Sequence, residues 1–282
     1  MILRKEIREK SELWGVPPDT VDKDYVLGHV LSVIQKKFRD RLIFKGGTCL
    51  RKCYFPDYRF SEDLDFTSRH SDFILDQKEL NDVLTEVSQH TGIKFSVEEI
   101  ENVKFKNKHM GWQVYIKYWG ANHDRNQAPL PPERWTTRIK LEISTEELLV
   151  CETASRSIHH QYSDALISTD PILSYSLDEV VAEKLRSLVQ RSYTAPRDFY
   201  DLYFLTNDFK GADWERMKPI FIQKMNHKGI KYEDPEQLID DITTEKAIKA
   251  WQSSLAHQIT GKDLHSPAEL VSEVRKRITT YL

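Results

Sequence analysis

Hydrophobic residues recur with helical and with strand-like spacing over the first part of the chain. Between residues 20 and 38 they follow a helical period, at Leu27, Val30, Leu31, Ile34 and Phe38. The short apolar run that follows is ended by two glycines, which predicts a buried strand and a tight turn. The pattern predicts helices over 20–38, 48–54 and 72–90, and strands over 42–44, 64–67, 94–97, 114–119 and 136–144, with a weak strand over 158–162.

The pattern becomes helical after Asp170. Ser176 and Glu179 have the spacing of a capping box, in which the serine caps a backbone amide and the glutamate reaches back. This box predicts a helix over 177–191, and further helical periods follow to the end of the chain. We therefore expect an α+β fold of two domains, residues 1–170 with strands and N-terminal helices and residues 171–282 with helices alone.

Composition narrows the class of protein. The chain has 282 residues, 39% of them hydrophobic and 30% charged, which predicts a folded domain and not a disordered chain. No apolar run approaches the roughly 18 residues of a membrane span, and the N-terminus does not resemble a signal peptide. Three cysteines are too few for a disulfide scaffold and predict buried free thiols. We expect a cytoplasmic protein with no membrane partner.

The chemistry is concentrated around a double glycine and two nearby aspartates. Gly46 and Gly47 allow the backbone to approach a ligand closely, and a helix starting at Thr48 offers free amides that suit a triphosphate. Asp63 and Asp65 stand two apart on a predicted strand, so both carboxylates share one face. Two carboxylates at this distance repel each other unless a cation lies between them, and hard oxygen ligands suit Mg²⁺.

A third carboxylate belongs to the same picture if two strands are neighbours. Glu142 lies on the polar face of the strand over 136–144, together with Arg138, Lys140 and Ser144. Three carboxylates would hold two metal ions, one at the attacking hydroxyl and one at the phosphates. A solvent-facing strand residue is the alternative interpretation of Glu142.

Two further charged positions lie on apolar helix faces in the second part. Lys184 shares a face with Leu177 and Leu188, where a lysine needs a partner, a phosphate contact or a path to solvent. Asp198 and Asp201 are three apart and share a helical face. We expect Asp201 to be partly buried and to pair with Lys184 or Arg197, which is compatible with a catalytic role.

Several sequence elements together resemble the AbiEii/AbiGii family of nucleotidyltransferase toxins. Lys23-Asp24-Tyr25-Val26 is one of them, and the resemblance covers roughly residues 20–206. Asp-x-Asp after Gly-Gly is common to polymerase-β-like nucleotidyltransferases, whereas the longer strings are more specific to the family. The other matching elements are Gly46-Gly47-Thr48, Arg59-Phe60-Ser61-Glu62-Asp63-Leu64-Asp65-Phe66, Lys140-Leu141-Glu142, Glu183-Lys184-Leu185 and Arg197-Asp198-Phe199-Tyr200-Asp201-Leu202.

The resemblance implies a minimal nucleotidyltransferase mixed sheet with flanking helices, followed by an all-helical domain. It implies NTP and Mg²⁺ (or Mn²⁺) as cofactors, a toxin–antitoxin or abortive-infection system with a cognate antitoxin, and transfer to RNA, since related toxins extend the tRNA 3′ end. The implied metal ligands are Asp63 and Asp65, and Glu142 matches a family position and is the third candidate ligand. The implied triphosphate contacts are Gly47 and Thr48, and we add Gly46, Arg51 and Ser61 as candidate nucleotide contacts. Lys184 would contact phosphate, Asp201 would complete the catalytic set, and either Glu142 or Asp201 would assist deprotonation of the acceptor.

The acceptor stays open at the level of the sequence. A net charge of −3 means that RNA would have to be met by a local basic patch. The candidates are Lys104, Lys106 and Lys108 around Phe105, and Lys218, Lys224, Lys228 and Lys231; an ordinary solvated face is the alternative for each. The residues Tyr54–Phe60 form an extra loop that would place Arg51 or Arg59 over the phosphates. A protein or small-molecule hydroxyl as acceptor, and a catalytically silent binding protein of the same fold, remain competing hypotheses.

Overall fold

The computed structural model describes residues 1–124, 126–191, 193–208, 214–260 and 266–282. The chain forms two compact units. The first contains residues 1–147 and 153–174, and the second contains residues 148–152 and 175–282. The short segment Leu148–Glu152 thus belongs to the second unit although it precedes the end of the first, which a single boundary near residue 170 does not anticipate.

The first unit is built from helices and one sheet. Its seven strands are arranged in the order β3-β4-β5-β2-β1-β7-β6. Strand β2 pairs antiparallel with β1 and parallel with β5, so the sheet is mixed, as expected. The elements are α1 (Arg4–Trp14), α2 (Pro18–Phe38), β1 (Leu42–Lys45), α3 (Gly46–Cys49), a π-helical turn (Leu50–Tyr54), β2 (Asp63–Ser68), α4 (Gln77–Thr91), β3 (Lys94–Phe105), β4 (Lys108–Trp119), β5 (Arg138–Ser144), β6 (Ala154–Arg156) and β7 (Ile172–Ser174).

The core of this unit lies between the sheet and α2. Phe44, Leu64 and Leu141 are buried on the three central strands, and α2 is buried along nearly its whole length. Burial on every side of α2 fits a helix whose apolar residues are not confined to one stripe. The weak strand expected over residues 158–162 is wrong, since that stretch has no regular structure and the short strand β6 lies before it.

In the second unit, the regular secondary structure of the described residues consists of helices. Ser176 caps the first helix by accepting a hydrogen bond from the Glu179 backbone N–H at 3.3 Å. The carboxylate of Glu179 accepts from the N–H groups of Val150 and Cys151 at 3.1 and 2.8 Å instead of closing the capping box. The helices are α5 (Leu177–Gln190), α6 (Pro196–Tyr203) with a π-helical turn (Phe204–Asp208), α7 (Trp214–His227), α8 (Asp241–Ser254) and α9 (Pro267–Tyr281).

Two predictions from composition can be compared with these elements. In the part of the chain that the structure describes, no helix is both long and apolar enough to cross a membrane. All three cysteines are free thiols; Cys49 and Cys53 are buried and Cys151 is half-buried. Burial raises the pKa of Cys49 and raises that of Cys151 to about 11, so these thiols are poor nucleophiles at neutral pH.

Candidate active site

Two parallel strands bring the predicted carboxylates together. In the register of β2 with β5, Asp63 lies opposite Lys140 and Asp65 lies opposite Glu142. Residues at these alternating positions point to one face of the sheet, whereas Leu64 and Leu141 between them are buried on the other. The expectation that Glu142 shares a face with the two aspartates, if the strands are neighbours, is therefore confirmed.

The double glycine closes the same end of the site. Gly46 follows β1 with φ at +80°, and a Cβ atom placed there would lie 2.3 Å from Oδ2 of Asp65. A Cβ atom on Gly47 would lie 2.9 Å from both Oγ of Ser61 and Nη2 of Arg59. Only residues without a side chain allow these three groups to approach the turn so closely. The structure thus places Gly46, Gly47, Ser61 and Asp65 in one small region, next to Arg59.

The hydroxyl of Thr48 has an internal partner. It is buried and donates a hydrogen bond to the main-chain carbonyl oxygen of Asp63 at 2.6 Å. This bond connects the start of α3 to the first residue of β2, so it fixes the glycine turn relative to the strand that carries both aspartates. A contact between Thr48 and a triphosphate stays a prediction, and in this arrangement it would use the backbone N–H of Thr48.

Arg51 lies inside the protein and not over the phosphates, where it was predicted. Its guanidinium is buried, donates through Nε to Oδ1 of Asp24 at 3.0 Å and lies 3.6 Å from the ring centre of Phe60. Lys52 binds the other oxygen of Asp24 at 2.6 Å. Burial alone would raise the pKa of Asp24, but the charges of Lys52 and Arg51 hold it at about 2. Arg51 therefore stabilises the loop from within.

Lys140 is a cation of the site that the sequence argument did not assign. Its Nζ lies 2.6 Å from Oε2 of Glu142 on the same strand. Partial burial lowers the pKa of Lys140, but the hydrogen bond to Glu142 and the charges of Glu142 and Asp63 outweigh this and raise it. The side chain of Glu142 is 48% exposed, so it keeps access to solvent and to a ligand. The signal for Lys140 was its position on the polar face of β5, two residues before Glu142.

In the second unit, Lys184 is held by two aspartates. Its Nζ lies 2.8 Å from Oδ1 of Asp198 and 2.6 Å from Oδ2 of Asp201. Arg191 also binds Asp198, and both carboxylates are buried. The expected pairing of Asp201 with Lys184 is confirmed. These buried charges are paired, which removes most of the penalty for taking them out of water. Contact of Lys184 with phosphate stays a prediction.

The lysines around Phe105 lie at the end of the β3–β4 hairpin. Lys106 and Asn107 have φ values of +47° and +65°, which forms a tight two-residue turn. Phe105 is 62% exposed, and Lys104, Lys106 and Lys108 are exposed as well. Lys108 contacts Glu146 at 2.5 Å. This hairpin end thus presents cations and an aromatic ring to solvent, as a single-stranded nucleic acid would require.

The second lysine group does not form one surface patch. Lys224 is buried, lies 2.5 Å from Oε1 of Glu179 and donates to the carbonyl oxygen of Leu148 at 2.8 Å. Its assignment to an acceptor surface is therefore wrong, because an internal ion pair already occupies it. Lys218 donates to the main-chain oxygen of Leu282 at 2.7 Å, and Lys231 is exposed.

The donor set at the acidic strands fits a hard divalent cation. Asp63, Asp65 and Glu142 offer carboxylate oxygens on one face of two adjacent strands, which is the oxygen-rich ligand type that Mg²⁺ prefers. A side chain at position 46 would occupy the space beside Oδ2 of Asp65, and glycine leaves this space open.

A mixed sheet with a glycine turn beside paired strand carboxylates, together with a helical C-terminal part, defines the chain as a nucleotidyltransferase. The chain belongs to the AbiEii family of nucleotidyl transferase toxins from type IV toxin–antitoxin systems, because the family model matches residues 29–274.

One solved structure shares the fold, and a second is similar to a lower degree. The nucleotidyltransferase toxin MenT4 from Mycobacterium tuberculosis H37Rv is similar over 100% of this chain and 91% of its own, with 20% identity and a TM-score of 0.64. A putative nucleotidyltransferase from H. pylori has 16% identity over 91% of this chain and 95% of its own, with a TM-score of 0.49. No curated protein matches the chain in a sequence search.

Proposed function

We propose that this toxin transfers a nucleoside monophosphate from an NTP to a hydroxyl of an RNA acceptor, the tRNA 3′ end, in a Mg²⁺-dependent reaction. The observation that carries the proposal is the register of β2 with β5 beside the glycine turn. It supports a site in which two aspartates, a third carboxylate and the backbone of a phosphate-sized turn act on one ligand.

The chain would contribute binding and orientation. Asp63 and Asp65, with Glu142, would hold Mg²⁺, which when bound neutralises charge on the phosphates and favours the ionised form of the attacking hydroxyl. The backbone N–H groups at Gly46 and Gly47 would face the triphosphate. In-line transfer of this kind depends mainly on positioning and electrostatics, so small displacements of these groups should lower the rate strongly.

Two cations would assist this chemistry. Lys140 neutralises Glu142 in the absence of ligand, so the ion pair holds the third carboxylate beside Asp65 without mutual repulsion. Lys184 is oriented by Asp198 and Asp201, which restricts its ammonium group to one position. Phosphate oxygens would replace part of that carboxylate contact. Either Glu142 or Asp201 would accept the proton of the acceptor hydroxyl.

RNA as acceptor is favoured by the exposed end of the β3–β4 hairpin. Phe105 among Lys104, Lys106 and Lys108 offers a ring on which a base stacks and charges that follow a phosphate backbone. Membership of a type IV toxin–antitoxin family implies a cognate antitoxin as a further partner.

The test is incubation of purified protein with Mg²⁺, total tRNA and each of four α-labelled NTPs. We expect label on tRNA with the wild type, and a loss of at least about 100-fold in Asp63→Ala and Asp65→Ala, since each removes a charge that acts on the transferred group. Asp57→Ala, at an exposed aspartate of the neighbouring loop, is the matched control and should keep full activity.

Other outcomes identify the competing functions. Label on the protein itself, or on an added small molecule, with none on tRNA would replace the RNA acceptor by another hydroxyl while the metal site stands. Equal labelling by wild type and a folded Asp63→Ala, Asp65→Ala double variant would refute the assigned site. No labelled product with any acceptor would favour a catalytically silent binding protein.

A further inference from the structure

Three metal-ligating side chains outside the candidate active site meet beside α2 in the first unit. His29 lies on α2, and His160 and Asp164 lie in the segment that connects β6 with β7. One candidate ligand atom from each residue can be chosen so that all three lie within 4.8 Å of one another. In the described part of the chain, this is the one group of three such residues that meets this condition.

Both imidazoles face the same carboxylate. Nε2 of His160 lies 3.1 Å from Oδ1 of Asp164, and Nε2 of His29 lies 3.5 Å from Oδ2. Ligand atoms at about 2.0–2.1 Å from a tetrahedral zinc ion are separated by about 3.3 Å along each edge. Each of the two nitrogen-to-oxygen separations is close to such an edge, with the two imidazoles facing different oxygens of the carboxylate, and the three chosen ligand atoms all lie within 4.8 Å of one another.

His29 is a buried imidazole with few polar partners. Its side chain is 0% exposed; within the described residues Nδ1 makes no hydrogen bond, and Nε2 faces only Oδ2 of Asp164, at the long distance of 3.5 Å. Nδ1 of His160 is also buried without a hydrogen-bond partner there, because it faces Gly28. A buried polar group with no hydrogen bond is uncommon and often marks an ion or a water molecule. Coordination through Nε2 would give this nitrogen a close partner.

A neighbouring side chain already orients the carboxylate. The hydroxyl of Tyr25, one turn before His29 on α2, donates to Oδ2 of Asp164 at 2.7 Å. Hydrogen bonds of this kind fix the orientation of metal ligands and are a regular part of metal centres. Asp164 is 28% exposed, so an ion can reach the cluster from solvent.

We propose that His29, His160 and Asp164 bind one Zn²⁺ ion, with a water molecule in the fourth position. Two imidazoles and one carboxylate suit zinc, whereas Mg²⁺ prefers oxygen ligands alone. The ion joins α2 to the segment before β7, which has no regular secondary structure of its own around His160. This site is independent of the nucleotidyl transfer proposed above and shares none of its residues.

The test is a zinc titration of the full-length protein without a histidine tag, freed of metal and competed against a chromophoric chelator. We expect one equivalent of Zn²⁺ to bind and to raise the melting temperature. His160→Gln and Asp164→Asn should weaken binding at least about tenfold and abolish the thermal shift. His159→Gln is the matched control, since it changes the adjacent histidine that lies outside the cluster, and it should bind as the wild type does.

Two further measurements separate this site from its competitors. The Asp63→Ala, Asp65→Ala variant should still bind one equivalent of Zn²⁺, because the acidic strands are not the zinc site. Circular dichroism verifies that each variant is folded. The proposal is overturned if the affinity of the wild type for Zn²⁺ does not exceed that of folded His160→Gln. It is also overturned if the Asp63→Ala, Asp65→Ala variant no longer binds Zn²⁺ whereas folded His160→Gln still does.

Discussion

Asp22 is a buried carboxyl group whose ionisation should make the stability of the protein depend on pH. It lies on α2, and its Oδ1 accepts a hydrogen bond from the Ala121 N–H at 2.7 Å. Its Oδ2 is buried without a hydrogen bond among the described residues. Burial raises the pKa of Asp22 from 3.8 to about 7; the N–H groups of Ala121 and Asn122 oppose this, and the charge of Asp19 adds to it.

The direction of the effect follows from where the proton is held. Between about pH 4 and pH 7 the folded state keeps the Asp22 proton that the unfolded state has lost, so stability from this group decreases as the pH rises through that window. Above pH 7 both states are ionised and the contribution is constant. The free energy of unfolding changes by about 1.36 kcal/mol per pH unit, so the two units from pH 5 to pH 7 predict a loss of about 2.7 kcal/mol of stability.

Asp22→Asn is the perturbation that isolates this group. The amide keeps the shape of the carboxyl group and an oxygen for the Ala121 N–H, but it cannot ionise. The free energy of unfolding, measured by urea denaturation at pH 5, 6, 7 and 8, should fall less steeply with pH in the variant. We expect the stability of the variant relative to the wild type to increase by about 2–3 kcal/mol from pH 5 to pH 8.

Other groups titrate in the same range, so the difference between the two proteins is the quantity to compare. Asp19→Asn is a matched control, because Asp19 is exposed and lies three residues earlier on the same helix. It should leave most of the pH dependence unchanged. Parallel curves for wild type and Asp22→Asn would refute the argument that a buried, poorly solvated carboxylate limits stability at neutral pH.

Three further predictions concern the candidate site. Gly46→Ala should reduce the rate of nucleotidyl transfer more than Gly92→Ala does. Both glycines have φ near +80°, so each substitution costs about 1–2 kcal/mol of backbone strain, but only at Gly46 would the new Cβ meet Asp65. Activity assays and urea unfolding of the two variants test this difference. Lys184→Met should lower the free energy of unfolding by about 3–5 kcal/mol, because it removes the ammonium group that two buried carboxylates share, and equal stability by denaturation would contradict this. Thr48→Val should lower the free energy of unfolding by about 1 kcal/mol through loss of its hydrogen bond. A strong loss of transfer activity in this folded variant would indicate that Thr48 positions the glycine turn.

Local patterns were sufficient for much of the fold. The apolar content of α2 and the alternation of β5 are properties of consecutive residues, and the alternation of β5 follows which of its faces is buried. The short strands β6 and β7 have only three residues each, so period and propensity carry little signal there. Their pairing is decided by neighbours that are distant in sequence.

The candidate site divides in the same way. Asp63 and Asp65 share a face because alternation along a strand requires it, whatever the rest of the fold does. That Glu142 joins them depends on the parallel pairing of β5 with β2, which no local pattern specifies. The role of Arg51 was predicted from its place beside an extra loop and that of Lys224 from its place in a lysine cluster, and burial against Asp24 and Glu179 changed both.

By itself, the sequence determined the class of fold, the glycine turn and the paired aspartates, since these depend on spacing over a few residues. Only the tertiary structure decided which charges are internal, how Lys184 is paired and that His29, His160 and Asp164 meet beside α2. The physical reason is that burial and charge pairing depend on contacts between residues far apart in the chain, so their energies are set after the elements have packed.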